Sequence, residues 1–413
     1  MFIRTKYLNQ LINNMDQPTI KILVGVRRCG KTTILDQFRA TLRRQEISPS
    51  QIQVINFEYL LENELCNPEY LLQFILDRLS KHQMNYIFLD EVEVVPQFAR
   101  VVNALNSLSN TDVYITSSNK TILEKENLQQ MTPYIIIPVF PCSFREYIKR
   151  NHQEADSQTL YQYLNEGGFP YTHEIHGPIN LRNYVNGIIN TIIITDFTQQ
   201  ATLCNPGLTK QLAHHLAHHA GTTQNISQIV DSLKHHHITT SNKTVDFYLQ
   251  FLQTSFIFYP CKEYNFSRRH VKSTNIRYYP VDPSIRQALT LKKNVLSQRI
   301  LENIVFIDLL SQGYQVYSGR IKDNEITFVA IKNDIFTCIQ IAYSLADDGA
   351  YRRAISGLRQ LSSKYRKLLI TVKPALNYAG LDPDIEIIDL YSWLTNLTPS
   401  QVKLIHDMAS GFV

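Results

Sequence analysis

A chain of 413 residues, 44% hydrophobic and 19% charged, holds more apolar material than one ordinary core needs, and its composition excludes a disordered or fibrous protein in favour of two or three globular domains. The net charge of +5 admits an acidic partner such as nucleic acid without demanding one. Six cysteines stand far apart with no CxxC pair, which argues against a zinc knuckle or a disulfide framework.

The first residues, MFIRTKYLNQLINNMDQ, read as an amphipathic helix without the apolar stretch of a signal peptide. The most apolar runs, YIIIPVF and GIINTIIIT, are too short to span a bilayer, so a cytoplasmic protein with no membrane partner is expected. Residues 19–150 alternate short apolar runs (IKILVG, QIQVINFE, NYIFLDE, DVYITSS, YIIIPVF) with helical patterns such as TTILDQFRATLRR, which predicts an α/β domain with a parallel sheet. From about 142 to 205 the pattern turns helical, broken by the turn signal EGGFP at Glu166–Pro170. Between 206 and 260 lie short helical patterns, NISQIVDSL and then SNKTVDFYLQFLQTSFIFY with a Ser241 cap, a succession that suits a small winged helix. Beyond 280, the helix QRILENIVFIDLLSQ, the strands YQVYSG, NEITFVAI and IFTCIQIAY, a helix over 349–363 and the strand KLLITV predict a second α/β core.

The stretch Gly25, Val26, Arg27, Arg28, Cys29, Gly30, Lys31, Thr32, Thr33 satisfies GxxxxGK[ST] between an apolar run and a helical pattern. Its glycines let backbone amides turn toward phosphate oxygens, Lys31 brings a charge to the terminal phosphates, and the Thr32 hydroxyl is placed to ligate Mg²⁺. NYIFLDE then sets Asp90 and Glu91 at the carboxyl end of a strand, where ligands sit in open α/β sheets. Asp90 is expected to hold Mg²⁺ and Glu91 to polarise water. A third run ends in Thr116, Ser117, Ser118 and Asn119, polar groups suited to sensing a terminal phosphate; a hydrophilic loop explains them nearly as well.

In order, the strings YLNQLI, GVRRCGKTT, NFE, YIFLDEVE, YITSSN, FPCSFREYI, YLNEGGFP and LENIVFIDLLSQGYQVYSGR…NEITFVA…CIQIAYSL resemble a widespread prokaryotic family of AAA-type ATPases over nearly the whole chain. The resemblance implies a P-loop ATPase domain at 1–150, a helical lid or linker at 151–205, a winged-helix-like region at 206–280, and a C-terminal domain at 281–413 that resembles the restriction-endonuclease fold. It implies ATP and Mg²⁺ as cofactors and gives Asn119 the role of sensing the γ-phosphate. Where the family carries an arginine in its LSGRYVEI segment, this chain has Pro133, and Arg28, Arg100, Arg145 or a neighbouring subunit is the alternative source of that charge. Glu93 stands where the family more often has glutamine. In the C-terminal domain Glu302 and Gln340 match nuclease positions, but Thr327 replaces the strand aspartate and Ala342 the lysine. Glu325, on the same strand face as Thr327, is a candidate stand-in for that ligand, but the lysine is still missing, so a catalytically inactive nuclease fold kept for structure or DNA docking is expected.

Histidines at 214 and 218, and at 215 and 219, have metal-ligand spacing on a helix, although a polar helix face explains them better. If SNKTVDFYLQFL is a DNA-reading helix, Lys243 and Gln250 are its polar candidates and Ser267–His270 (SRRH) is a candidate basic wing, while a protein-interaction or lid element explains the segment about equally well. The expected function is a slow or partner-dependent ATPase acting as a switch on DNA, a protein or a second copy of itself. The rivals are a DNA-binding or interaction module with a vestigial nucleotide site, and an ATP-gated nuclease.

Overall fold

A computed structural model of the chain describes residues 2–59, 64–131, 133–196, 205–345, 347–372 and 382–396. The chain divides into two compact units, one of Met1–Pro141 with Thr254–Phe256, the other of Cys142–Gln253 with Ile257–Val413.

The first unit begins with helix α1 (Thr5–Asn13). Strands β1 (Ile20–Val24), β2 (Ile52–Asn56), β3 (Asn85–Asp90), β4 (Thr111–Ser117) and β5 (Tyr134–Pro138) follow, with helices α2 (Lys31–Arg44), α3 (Pro68–Leu76), α4 (Phe98–Asn106) and α5 (Lys125–Gln130) in the connections. All strand pairs are parallel and the order across the sheet is β2-β3-β4-β1-β5. Every residue of β1, β3 and β4 is buried, which is why these strands read as continuous apolar runs rather than as alternation. Phe88 of β3 stacks on Tyr114 of β4 at 4.9 Å, and Phe38 of α2 meets Phe88 edge-on at 6.2 Å. Each such ring buried from water contributes about 1.5–3 kcal/mol. Inside this apolar layer Lys21 pairs with Asp112, whose other oxygen accepts from Tyr114 and from the Asp16 amide.

Because β1 and β3 flank β4, their carboxyl ends and that of β4 lie side by side. In an open parallel sheet that edge is where ligands bind.

The second unit opens with α6 (Phe144–Asn151), α7 (Ser157–Glu166) and α8 (Pro178–Thr191). Of the lid expected at 151–205, residues 197–204 lie outside the described residues. Three helices follow, α9 (Pro206–His218), α10 (Ile226–His235) and α11 (Asn242–Thr254), then a hairpin of β6 (Phe258–Asn265) and β7 (His270–Pro280). Ser241 Oγ accepts from Thr244 N as the sequence suggests, but the helix stops at Thr254 rather than running through SFIFY. Phe256 takes a left-handed φ of 59°, which no continuing helix accommodates, and the chain extends from Phe258.

After α12 (Pro283–Thr290) and α13 (Gln298–Ser311) come β8 (Gln315–Ile321), β9 (Asn324–Lys332), β10 (Ile335–Ala342), α14 (Asp348–Arg359), β11 (Arg366–Thr371), β12 (Ile385–Asp389) and α15 (Leu390–Thr395). The seven strands form one mixed sheet, β12-β11-β10-β9-β8-β6-β7. The basic stretch Ser267–His270, expected to be the wing of a separate region, therefore lies in a hairpin at the edge of the C-terminal sheet. β6 runs parallel to β8 through the pairs Glu263–Ser318, Tyr264–Gly319 and Asn265–Arg320, so its backbone groups are satisfied there. Side chains alternate between two cores, as a period of two requires. Phe328 and Ile339 face Leu301, Val305 and Phe306 of α13, whereas Val329 and Cys338 face Ile355 and Leu358 of α14. No helix among the described residues is long and apolar enough to cross a membrane.

Candidate functional site

The loop from Gly25 to Gly30 joins β1 to α2 in a conformation only its glycines permit. A Cβ on Gly25 would lie 2.0 Å from the Val139 carbonyl oxygen, and Gly30 sits at φ 100°, where a side chain is strained. Gly30 provides no side-chain cap for α2, and the helix dipole favours an anion at this N-terminus.

Lys31, buried at the start of α2, donates to the Gly25 carbonyl at 2.9 Å, lies 3.0 Å from Glu91 Oε1, and reaches Ser118 Oγ at 3.4 Å. Thr32 Oγ1 donates to Asp90 Oδ2 at 2.7 Å. The same oxygen accepts from Asn56 Nδ2 at 3.0 Å, and the Thr116 hydroxyl donates to Asp90 Oδ1. Thr116 in turn accepts from the Glu91 amide at 2.9 Å, while Glu91 holds a left-handed φ of 57°. A non-glycine residue kept in that region by surrounding contacts is a common mark of a functional position. The Ser118 hydroxyl donates to Glu91 Oε2, and its amide donates to Glu93 Oε1 at 2.9 Å. The ends of β1, β2, β3 and β4 thus converge on one polar cluster.

Burial alone would raise the Glu91 carboxyl, but the Lys31 ammonium, the Ser118 hydrogen bond and the nearby Arg27 hold it down to about 2. Lys31 sits above its ordinary value, because Glu91 outweighs the burial that would lower it. Glu93 is pushed well above its ordinary value by burial and then by the Glu91 charge, and its buried Oε2 has no hydrogen-bond partner among the described residues. The Ser118 amide also donates to Glu91 Oε2 at 3.2 Å, so the two carboxyls share one donor, and their mutual repulsion favours the charge on Glu91 over Glu93. Burial also raises Asp90, against hydrogen bonds from Thr116 and Thr32.

The remaining loop residues have other placements. Val26 and Cys29 are buried, with the Cys29 thiol pushed up by burial. Arg27 and Arg28 lie 3.7 and 3.4 Å from Glu58. Thr33 stands half-buried in the first turn of α2. Asn119 uses its Oδ1 to accept from Thr121 N at 3.0 Å, capping a short turn, so it is Ser118 that the structure brings to Lys31 and Glu91. Pro133 is exposed and lends its carbonyl to Ile20 N, Arg100 is exposed on α4, and Arg145 belongs to the second unit. Arg4 carried no signal in the sequence: it is buried, and its Nη1 donates to the Cys29 carbonyl at 3.0 Å and to the Phe140 carbonyl at 2.9 Å. A lone arginine ahead of a helix has no periodicity or motif by which to stand out.

A Mg²⁺–nucleotide fits this set. The uncapped helix start and a cradle that a Cβ on Gly25 would fill suit phosphate, and Thr32 with Asp90 offers the hard oxygen ligands that Mg²⁺ takes.

In the second unit the candidate nuclease positions have different company. Arg277, 5% exposed, pairs with Glu325 and lies 4.0 Å from Glu302, which also accepts from Gln298 at 3.0 Å. Burial raises the Glu302 carboxyl against the pull of Arg277. Gln340 Oε1 accepts from the Thr327 amide at 3.1 Å, and Ala342 offers no polar atom. The cation in this cluster is thus a guanidinium. His215 lies 3.0 Å from Gln224 Nε2 and 3.2 Å from Ser232 Oγ through its two ring nitrogens, stacks on His219 at 4.3 Å, and is lowered to about 4 by burial and then by His219. Among the described residues no group of three His, Cys, Asp or Glu is placed to hold a metal. On α11, Gln250 donates to Asp246 at 3.0 Å and Lys243 is exposed.

A family model described as an AAA domain matches residues 17–148, and one described as a domain of unknown function matches residues 157–296. An uncharacterized protein of Haemophilus influenzae is 32% identical over 401 residues, 95% of this chain and 98% of its own length. An uncharacterized protein of Methanocaldococcus jannaschii is 24% identical over 401 residues, 91% of this chain and 88% of its own. Among solved structures, the Walker-type ATPase PABY2304 of Pyrococcus abyssi aligns with a TM-score of 0.48 and 13% identity over 70% of this chain and 96% of that one.

Proposed function

Because the chain belongs to the family of the Haemophilus influenzae relative and carries an AAA-type P-loop ATPase domain, we propose that it binds ATP with Mg²⁺ and uses slow or partner-dependent hydrolysis as a conformational switch. The observation that carries this reading is the convergence of Lys31, Glu91, Thr32 and Asp90 at the carboxyl ends of β1 and β3.

Lys31 and the amides of the α2 start bind the β and γ phosphates. Thr32 and Asp90 hold Mg²⁺, which when bound neutralises charge on the transferred phosphoryl oxygens. Glu91, held as a carboxylate beside Lys31, polarises and orients the attacking water. Ser118 takes the sensing position that Asn119 was expected to fill, since its hydroxyl links Lys31 to Glu91. Pro133 offers no cation for transition-state charge, a contribution worth about 10³–10⁵ in rate where it is present. The charge then comes from Arg28, Arg100 or Arg145 of this chain or from a neighbouring subunit, and the last of these would make turnover partner-dependent.

The C-terminal carboxylates support a structural role rather than metal-dependent nuclease chemistry, because Arg277 already supplies their counter-charge. Whether that domain has the restriction-endonuclease fold is a proposal resting on the resemblance. A second reading, an interaction module with a vestigial nucleotide site, draws on Pro133.

One pair of assays separates the two: calorimetric titration of ATP with Mg²⁺, then phosphate release, comparing wild type with Glu91→Gln and Lys31→Ala. Binding that survives Glu91→Gln and disappears in Lys31→Ala, with turnover lost in both, is expected. Tight ATP binding by Lys31→Ala would sink the assignment.

A further inference from the structure

The β6–β7 hairpin, the β9–β10 turn and the loop before β11 line a cavity of about 410 Å³ in the second unit. Tyr264, Phe336 and Tyr365 form its aromatic wall, with centroid separations of 5.9 Å from Tyr264 to Phe336 and 5.9 Å from Phe336 to Tyr365. All three rings are half-buried, packed on one side against the core of this sheet face. Phe266 backs them, edge-on to Tyr264 at 5.1 Å and to Tyr365 at 5.5 Å, which fixes the ring positions.

Two cations complete the lining, Arg269 from the hairpin turn and Lys364 from the loop before β11. Both are exposed, and neither enters an ion pair among the described residues; the Lys364 ammonium stands 4.8 Å over the Tyr365 ring. Arg269 is presented by a fixed turn: it holds φ 51°, and the amide of its neighbour Arg268 donates to Asn265 Oδ1 at 2.8 Å. Asp334 is the carboxylate of the lining, which leaves one positive charge in excess, with exposed Arg268 adjoining.

Aromatic faces in a concavity, next to cations carried on separate loops, match one ligand chemistry well. Bases stack on rings without regard to sequence, and the phosphates on either side of a base meet positive charge. Bases in a duplex are already stacked and cannot enter such a pocket, and an acidic peptide would use the cations but not the rings. We propose that this cavity binds single-stranded nucleic acid, with one unstacked base against Tyr264, Phe336 and Tyr365 and the flanking phosphates on Arg269 and Lys364. The site lies wholly in the second unit and does not rest on the nucleotide reading.

The test is fluorescence anisotropy of the full-length chain with labelled oligothymidylate and oligouridylate of about 20 nucleotides, from about 50 to 200 mM salt. The wild type should bind at least one of them, the choice telling DNA from RNA, with affinity falling as salt rises. Arg269→Ala/Lys364→Ala alters two exposed residues, so the fold is kept; it should weaken binding about tenfold and flatten the log–log salt dependence by about 1.4, two phosphate contacts at about 0.7 each. Phe336→Ala should weaken binding by about tenfold and leave that slope unchanged. Lys31→Ala should bind oligonucleotide as the wild type does, so a failure of the nucleotide reading stays distinguishable. No binding at the lowest salt, equal binding by wild type and the Arg269→Ala/Lys364→Ala variant, equal affinity for blunt duplex, or displacement by polyglutamate at matched charge would each overturn the proposal.

Discussion

Lys31 Nζ stands 3.0 Å from Glu91 Oε1, and the two side chains are only 3% and 10% exposed. The residue proposed to bind phosphate and the residue proposed to activate water are therefore each other's counter-ion. A buried pair of this kind contributes little by itself, because desolvation offsets the attraction, but removing one partner strands the other.

Removing Lys31 alone should thus cost stability as well as binding. Lys31→Ala is expected to lose about 3–5 kcal/mol in urea unfolding, whereas Lys31→Met combined with Glu91→Gln should recover most of that loss. The pH dependence has a definite sign. Glu91 is depressed to about 2 in the folded chain against about 4.3 unfolded, so its stabilisation is complete above the unfolded value and is lost as pH falls through about 2. Wild-type stability should decline between about pH 5 and pH 2 more steeply than that of Glu91→Gln. Parallel curves for the two proteins would show that Glu91 is not held as an anion.

Arg4 ties the phosphate loop to the end of β5 through two carbonyls, those of Cys29 and Phe140. Each hydrogen bond to a charged group contributes about 1.5–3 kcal/mol, part of which appears as loop order rather than global stability. Arg4→Ala should therefore weaken ATP binding about tenfold while the unfolding transition stays cooperative. Calorimetric titration beside urea unfolding checks both, and an unchanged Kd would remove Arg4 from any positioning role.

Ser118 and Asn119 are neighbours with different work. Asn119→Ala loses a cap and should cost about 1 kcal/mol in stability with little effect on nucleotide affinity. Ser118→Ala removes a hydrogen bond that holds Glu91 down, so the acidic limb of the turnover–pH profile should move to higher pH. A shift in Asn119→Ala with none in Ser118→Ala would restore the role first expected for Asn119.

The parts of the molecule that were legible in the sequence are those whose cause is local. β1, β3 and β4 are buried on both faces and so appear as apolar runs bounded by the glycine loop or by Asp90 and Glu91. β12 was missed because only its first residue is buried, so it shows neither a run nor a clean alternation. The sequence shows only the basic stretch Ser267–His270 as a wing candidate and no hairpin of β6 and β7, since nothing local reveals that Tyr264 will pair with Gly319. Arg4 and Arg277 act on partners far along the chain, and isolated arginines leave no pattern to read. Ser118 lay within a recognised polar run, yet choosing among four neighbours needed the backbone turn that points one of them at Lys31.

Arg277 provides the clearest case of a charge whose meaning depends on its surroundings. It is 5% exposed, lies 4.0 Å from Glu302 and pairs with Glu325, so truncating it leaves the buried Glu302 with hydrogen bonds from Gln298 and Tyr279 and only the weaker pull of Arg299 as counter-charge. Burial already raises the Glu302 carboxyl in the wild type, and without the guanidinium it rises further. An acid whose folded value lies above its unfolded one binds more protons folded than unfolded, so it destabilises progressively as pH rises past the unfolded value of about 4.3. Arg277→Ala should accordingly be least destabilised near pH 4 and most destabilised near pH 8, with a penalty there of about 3–5 kcal/mol. Arg277→Ala combined with Glu302→Gln should lose that pH dependence. Urea unfolding across the pH series reads both, and a penalty equal at pH 4 and pH 8 would show that Arg277 acts through packing rather than through the Glu302 charge.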